Sequence, residues 1–330
     1  MEFRLSEDQL ALREGVRAFC EGCMPDEAFA EFESAKPDRW RTLWAELAEM
    51  GVFSLRLSEE QGGIDLGMAD AVIVFAELGR RIVPGPTIWS HIAAGRVDGA
   101  AMGDAIVGGL DLTGNAANDP ILIEHLDICD KLLVLRADKV ELIDAKTVEG
   151  DLIGTPLDPL TPVHEVAELP AGETIGDGEL AAQLSREGAT LASALMLGIA
   201  EASLELANAY AKSREQFGRT IGSFQAIKHM LADMFVRQEV ARAAAYAAGA
   251  TVDFPDAGDL QAAVSGAKVN CGESAMKNCR ASVQIHGGMG YTWEVVAHYY
   301  LKRTWVLENS FGTVDEHSLI VADRVAARVA

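Results

Sequence analysis

Cysteine is scarce in this sequence of 330 residues, basic charge is short, and no unbroken apolar run is long enough to span a bilayer. Five scattered cysteines, an odd number, make no disulfide framework; they suit a reducing compartment, so a cytoplasmic location is expected. One pair, Cys20-Glu-Gly-Cys23, has redox or metal spacing, but no second pair follows it. It reads as two small residues at a helix end, and no metal site is expected. Only 28 basic residues stand against 50 acidic ones, a net charge of −22, which leaves no pervasive cationic face for nucleic acid. The opening MEFRLSEDQL is acidic and amphipathic, without the basic start and apolar core of a signal peptide, and no membrane association is expected.

What is present is apolar residue, 49% of the chain, enough for a large core. Residues 1–100 read as a helical domain. Ser6 with Glu7 and Asp8 makes a helix start, Leu10, Leu12, Val16 and Phe19 supply its apolar stripe, and further helices are expected over 40–50 and 68–81. Residues 52–57 read as a short extended run. Gly62 and Gly63 read as a turn, and Val83-Pro-Gly-Pro86 as a break. Over 101–180 short apolar runs at 121–123, 131–136 and 140–144, parted by Gly, Asp and Pro, indicate a small β domain. From 181 to 330 the chain reads as a helical bundle, with helices over 181–214, 224–252, 259–284, 294–307 and 315–327. Gly188 and Gly198 would let the first approach its neighbours closely. The fold class is therefore mostly α with a small central β domain.

Basic residues gather where the overall charge least favours them. Lys212, Arg214 and Arg219 flank a tight turn between two bundle helices, a place suited to an anion. The helix that follows carries Phe224, Ile227, Leu231, Met234 and Phe235 at helical spacing, which predicts one buried face. A second unusual turn, Gln284-Ile-His-Gly-Gly-Met-Gly-Tyr291, follows the next helix.

Arg214-Glu-Gln-Phe-Gly218, Gln225, and Gln284 with Gly287, Gly288, Gly290 and Tyr291 together resemble the acyl-CoA dehydrogenase family, over nearly the whole chain and least across 101–180. The resemblance implies FAD held between subunits. Arg214 would pair with its pyrophosphate through a planar guanidinium. Phe217, Gln225 and Gln284 would surround the adenine side, Gly287 and Gly288 would bring backbone amides close, and Gln216 and Thr313 complete the cofactor set. Taken singly, Arg214 also suits a helix C-terminus, and the glycines suit helix stops. Glu239 and Arg242 match an acidic-x-x-Arg pair that meets the CoA ribose; at this spacing they equally make a surface ion pair. An acyl-CoA substrate, electron-transferring flavoprotein as electron acceptor, and a tetramer are implied by the family.

Two departures matter. Proton removal next to a thioester needs a carboxylate, and the family's Glu lies just before a Gly-Thr near the carboxyl terminus. Here Glu308-Asn-Ser-Phe-Gly-Thr313 puts Phe311 there. Asp253, beside the alternative base position at Phe254, is a weak substitute. The family's Thr-Glu-Pro-like turn and Trp-x-[Thr/Ser] strand, which face the flavin ring, are missing from 101–180. Both departures, with His286 to Glu294 and His298 to Arg303, are similar to the short, base-less subunit of heteromeric bacterial acyl-CoA dehydrogenases acting on steroid side chains. The expected function is α,β-dehydrogenation of a bulky acyl-CoA with a partner chain. The alternatives are a self-sufficient homotetramer using Asp253, Asp315 or Glu308, and a catalytically silent scaffold. Trp305, Val306, Leu307, Ile320 and Val321 in the last helices suit subunit assembly.

Overall fold

In the computed structural model, which describes residues 4–114 and 120–329, a capping box starts the first helix. Ser6 Oγ accepts the Gln9 amide and Gln9 Oε1 accepts the Ser6 amide, each at 3.1 Å. The first three residues of the acidic opening lie outside the described residues. Helix α1 (Glu7–Cys23) turns Val16 and Cys20 into the core. It is followed by α2 (Asp26–Phe32), α3 (Pro37–Glu49), α4 (Met68–Arg80) and α5 (Thr87–Ala93). Helix α3 begins three residues before the expected 40–50 because Pro37 sits in its first turn, where a missing N–H is harmless. Helices α2 and α5, seven residues each, are too short for their periodicity to be read.

The extended run expected at 52–57 is a correction. These residues form turns, closed by Leu57 N–H to Ser54 O at 2.9 Å. Val52, Phe53 and Leu55 are buried, and a short apolar run does not distinguish a buried strand from a buried turn.

Strands occupy the middle of the chain: β1 (Val107–Leu112), β2 (Ile121–Glu124), β3 (Lys131–Arg136), β4 (Lys139–Asp144), β5 (Asp151–Leu152), β6 (Val163–Val166) and β7 (Glu173–Asp177). The three expected runs correspond to β2, β3 and β4. One sheet has the order β1-β3-β4-β7, with β1 parallel to β3 and the other pairs antiparallel; the second is β2-β6-β5. Leu132, Leu133, Val134 and Leu135 are all buried, as expected of a strand covered on both faces.

The bundle is α6 (Gly178–Ser213), a hairpin of β8 (Glu215–Gln216) and β9 (Arg219–Thr220), α7 (Gln225–Asp253), α8 (Leu260–His286), α9 (Ala297–Asn309) and α10 (Val314–Val329). Helix α6 is long and apolar enough to cross a membrane by length and composition, but 83% of its most apolar window is buried inside the protein. It is the bundle's central helix, packed on α4, α7 and α8. The expected buried face of α7 needs correcting: Met234 is buried, whereas Phe235, Val236 and Val240 are each more than half exposed. Apolar residues therefore face both inward and outward on this helix.

Candidate functional site

Helix α6 ends when Arg214 turns extended, at ψ 126°, its amide still bonded to Tyr210 O at 2.8 Å. The β8–β9 hairpin then reverses at Phe217 and Gly218, with φ of +54° and +75°. Two left-handed residues are what a two-residue hairpin demands, and a phenylalanine there is uncommon. Its ring is 91% exposed. Arg214 is exposed too, and among the described residues its guanidinium has no hydrogen bond or ion pair. Arg219 lies 4.1 Å over the Phe224 ring. Behind the hairpin a groove of about 480 Å³ is lined by Lys212, Lys228, Thr220 and Ser223, two ammoniums and two hydroxyls.

Helix α8 ends at the same end of the bundle. Tyr210 stacks on His286 with centroids 4.3 Å apart, which fastens the Arg214 turn to the glycine turn. Gly287 has φ +60°, and a Cβ added at Gly287 or Gly288 would meet nothing within 4 Å, so this backbone is open to solvent. Gln225 and Gln284 are exposed; Gln225 is 3.4 Å from the His229 ring, and the Gln216 amide donates to the carbonyl of its neighbour Glu215. The structure thus gathers Arg214, Gln216, Phe217, Gln225, Gln284, Gly287 and Gly288 into one exposed, cationic locus.

Thr313 is elsewhere. Its amide and hydroxyl bond Glu316 at 2.8 and 2.9 Å, starting α10 beside Phe311. That second locus meets α8 at Lys268, about 27 Å along the helix from His286. Phe311 is 5% exposed, and its ring lies 4.6 Å from that of Trp89. Two glycines make room for the pair. A Cβ at Gly188 would come within 2.3 Å of the Phe311 ring, and one at Gly109 within 2.4 Å of the Trp89 ring. The space left in this crevice is about 40 Å³, room for a few water molecules. Of the residues lining it, the one carboxylate is Glu124, at the exposed end of β2.

The candidate bases do not reach that crevice as free carboxylates. Asp253 accepts the Met68 and Ala69 amides at 2.7 and 2.9 Å, so both oxygens cap the start of α4. Asp315 is exposed in the first turn of α10, and Glu308 is half-buried on α9. Glu239 and Arg242 do form an ion pair, and Arg242 also reaches Glu201 of α6 at 2.7 Å. Cys20 and Cys23 are unbridged thiols; burial pushes Cys23 up to about 11, unlike a reactive redox pair.

Two participants were not foreseen. Trp89 follows a Pro-Gly-Pro break and gave no periodic signal. Lys268 is fully buried, with its ammonium on backbone carbonyls of residues 307–312. Its signal is a cation on the stripe of Val264, Cys271 and Ala275, where charge is rare.

Comparison with known proteins agrees with this geometry. Residues 6–97 match the acyl-CoA dehydrogenase N-terminal domain, and residues 179–326 the acyl-CoA dehydrogenase C-terminal domain. The chain is 32% identical over 308 residues to the acyl-CoA dehydrogenase IpdE2 of Mycolicibacterium smegmatis, covering 91% of this chain and 93% of that protein. It is 31% identical over 324 residues to the acyl-CoA dehydrogenase FadE34 of Mycobacterium tuberculosis, again over 91% of this chain but only 45% of that longer relative. The crystal structure of the ChsE4-ChsE5 complex from Mycobacterium tuberculosis superposes with a TM-score of 0.84 at 23% identity, over 99% of both chains. The chain belongs to the acyl-CoA dehydrogenase family, oxidoreductases of acyl-CoA thioesters whose cofactor is FAD.

Proposed function

We propose that this chain is the base-less subunit of a two-chain acyl-CoA dehydrogenase whose substrate carries a bulky, steroid-like acyl group. One observation carries this reading: the crevice at position 311 holds a phenyl ring packed between Trp89 and Gly188, where the family's chemistry needs a carboxylate. A phenyl ring accepts no proton.

The cationic locus suits half of a FAD site. The free guanidinium of Arg214 matches a pyrophosphate, and the uncovered backbone at Gly287 and Gly288 allows close approach. When bound, FAD supplies the hydride acceptor for α,β-dehydrogenation. In this reading Arg214, Gln216, Phe217, Gln225, Gln284, Gly287 and Gly288 grip its adenine and pyrophosphate, while the reactive ring and the catalytic carboxylate belong to the partner. Thr313 stays with the loop at Phe311, and Glu239 with Arg242 forms the face of α7 nearest the CoA ribose. The outward Phe235, Val236 and Val240 suit burial against another subunit. Two-chain assembly is supported by the likeness to the ChsE4-ChsE5 complex, and a steroid-like acyl group by the segment from His286 to Arg303. Electron-transferring flavoprotein is the acceptor the family implies, and five unbridged cysteines suit the cytoplasm. The homotetrameric alternative loses Asp253 to the cap of α4.

The test is to purify the chain alone and with a longer acyl-CoA dehydrogenase from its gene neighbourhood, reading flavin absorbance and steroid-side-chain acyl-CoA oxidation. Alone, it should retain little FAD and show no activity; together, both should appear, and Arg214→Ala should remove the FAD. Stoichiometric FAD with dehydrogenation by the lone chain overturns the proposal.

A further inference from the structure

Lys268 is a buried amino group that none of the chemistry above employs, and burial pulls it down to about 7. It sits on the inner stripe of α8 with 0% of its surface exposed, and among the described residues it forms no ion pair. A cation persists in such a place only where other acceptors replace its water. Those acceptors are backbone carbonyls: Leu307 at 3.1 Å, Glu308 at 3.3 Å, Gly312 at 2.7 Å, and Ser310. Three N–H donors serve four oxygens. Two of the carbonyls belong to the last turn of α9, beyond the reach of its regular ladder, and Leu307 O also accepts from the Ser310 amide at 3.2 Å. The other two flank Phe311, whose φ of +56° is a conformation that phenylalanine rarely holds unaided. Phe311 is further fastened by His317, whose Nε2–H donates to Phe311 O at 2.9 Å while Nδ1 faces Ser265 Oγ at 3.0 Å.

We infer that Lys268 is a positioning residue, a latch whose ammonium holds the 310–312 loop and so fixes the side chain at position 311 inside the crevice. In this chain the side chain held there is the Phe311 ring, tilted 36° against Trp89 and lying over Gly188. This extends the reading of the crevice as holding a ring in place of a base, and rests on it. The latch works through backbone carbonyls alone, so it acts on whatever residue stands at 311.

Hydrogen–deuterium exchange on the full chain, read by mass spectrometry, tests it without flavin or thioester. Lys268→Met keeps the reach of the side chain and removes its donors. Exchange across residues 306–317 should then rise about tenfold or more, while the β3 and β4 segments stay within about twofold. Phe311→Ala removes the ring and leaves the latch, so the same segment should change by less than about threefold. Unchanged protection in Lys268→Met, a uniform rise over the whole chain, or release by Phe311→Ala as large as by Lys268→Met overturns the inference. Should Lys268→Met not fold, Phe311→Ala decides alone: retained protection supports the latch and lost protection rejects it. Because exchange reads the loop directly, its failure and the failure of the two-subunit reading are separate results.

Discussion

At the residue scale, the difference between a base and a cap is a matter of which hydrogen bonds a carboxylate already makes. Asp253 spends both oxygens on the Met68 and Ala69 amides, at the N-terminus of a helix that favours negative charge. Asp253→Asn retains one acceptor oxygen and leaves one of the two amides unserved, so it should lower stability by about 1 kcal/mol. A urea midpoint would register that loss. In the assembled enzyme the same change should leave the pH dependence of turnover where it was; a collapse of turnover with unaltered stability would restore Asp253 as the base. The identity of Phe311 was legible in the sequence because it occupies a numbered slot in a motif. Its partners were not. Trp89, Gly109, Gly188 and Lys268 come from four separate elements, and the carbonyls that Lys268 binds lie about 40 residues away in the chain. A backbone acceptor leaves no mark on residue type, so only the anomaly of a lysine on an apolar stripe pointed to it.

At the scale of elements, the long helices could be read because three or more turns repeat their pattern, whereas short strands and turns offer too few residues to show a period. That is why residues 52–57 look extended in the sequence and why β1, with its Gly108 and Gly109, gives no strand signal. Of the two glycines of α6 expected to allow close helix contact, Gly198 meets helix α4, whereas Gly188 makes room for the Phe311 ring of a loop. A Cβ at Gly198 would stand 1.8 Å from Ala76 O and 2.7 Å from Arg80 N, both backbone atoms of α4 that no rotamer change can move. Gly198→Ala should therefore push α4 off α6 and cost about 3 kcal/mol. Gly266, within α8, has nothing within 4 Å of an added Cβ, so Gly266→Ala should instead stabilise by about 0.5 to 1 kcal/mol through helix propensity. Opposite shifts in the two denaturation midpoints would separate close packing from propensity; equal shifts would refute the α4–α6 contact.

For the whole molecule, charge is handled in two ways, and they respond to acid differently. One is a chain of ion pairs across four helices. Arg17 meets Glu77 at 2.7 Å, Arg80 meets Glu77, Glu201 and Glu205 at 3.2, 3.6 and 2.6 Å, and Arg242 meets Glu201 at 2.7 Å. These tie α1, α4, α6 and α7 together. The other is the burial of neutral imidazoles. Burial pulls His91 down to about 4 and His125 down to about 3. His91 donates from Nδ1 to Val52 O at 2.7 Å, and among the described residues its buried Nε2 has no partner to accept from it were it protonated.

The sign follows from linkage. Unfolded, each histidine binds a proton below about pH 6.5, while the folded protein stays neutral down to the lower value, so the unfolded state holds more protons and stability falls as pH drops. For His91 the loss accrues between about pH 6.5 and 4 and reaches about 3 kcal/mol. Overall charge pushes the other way. With 50 acidic residues and a net charge of −22, acidification toward the isoelectric point near 4.7 relieves self-repulsion. A single melting curve cannot separate the two, but a variant can. His91→Gln keeps an N–H for Val52 O and removes the titration, so the melting temperature of the native chain should fall more steeply than the variant's from pH 7.5 to 5. Parallel slopes would mean that the His91 imidazole gains its proton without leaving the folded core, and that acid sensitivity resides in the carboxylates of the four-helix network.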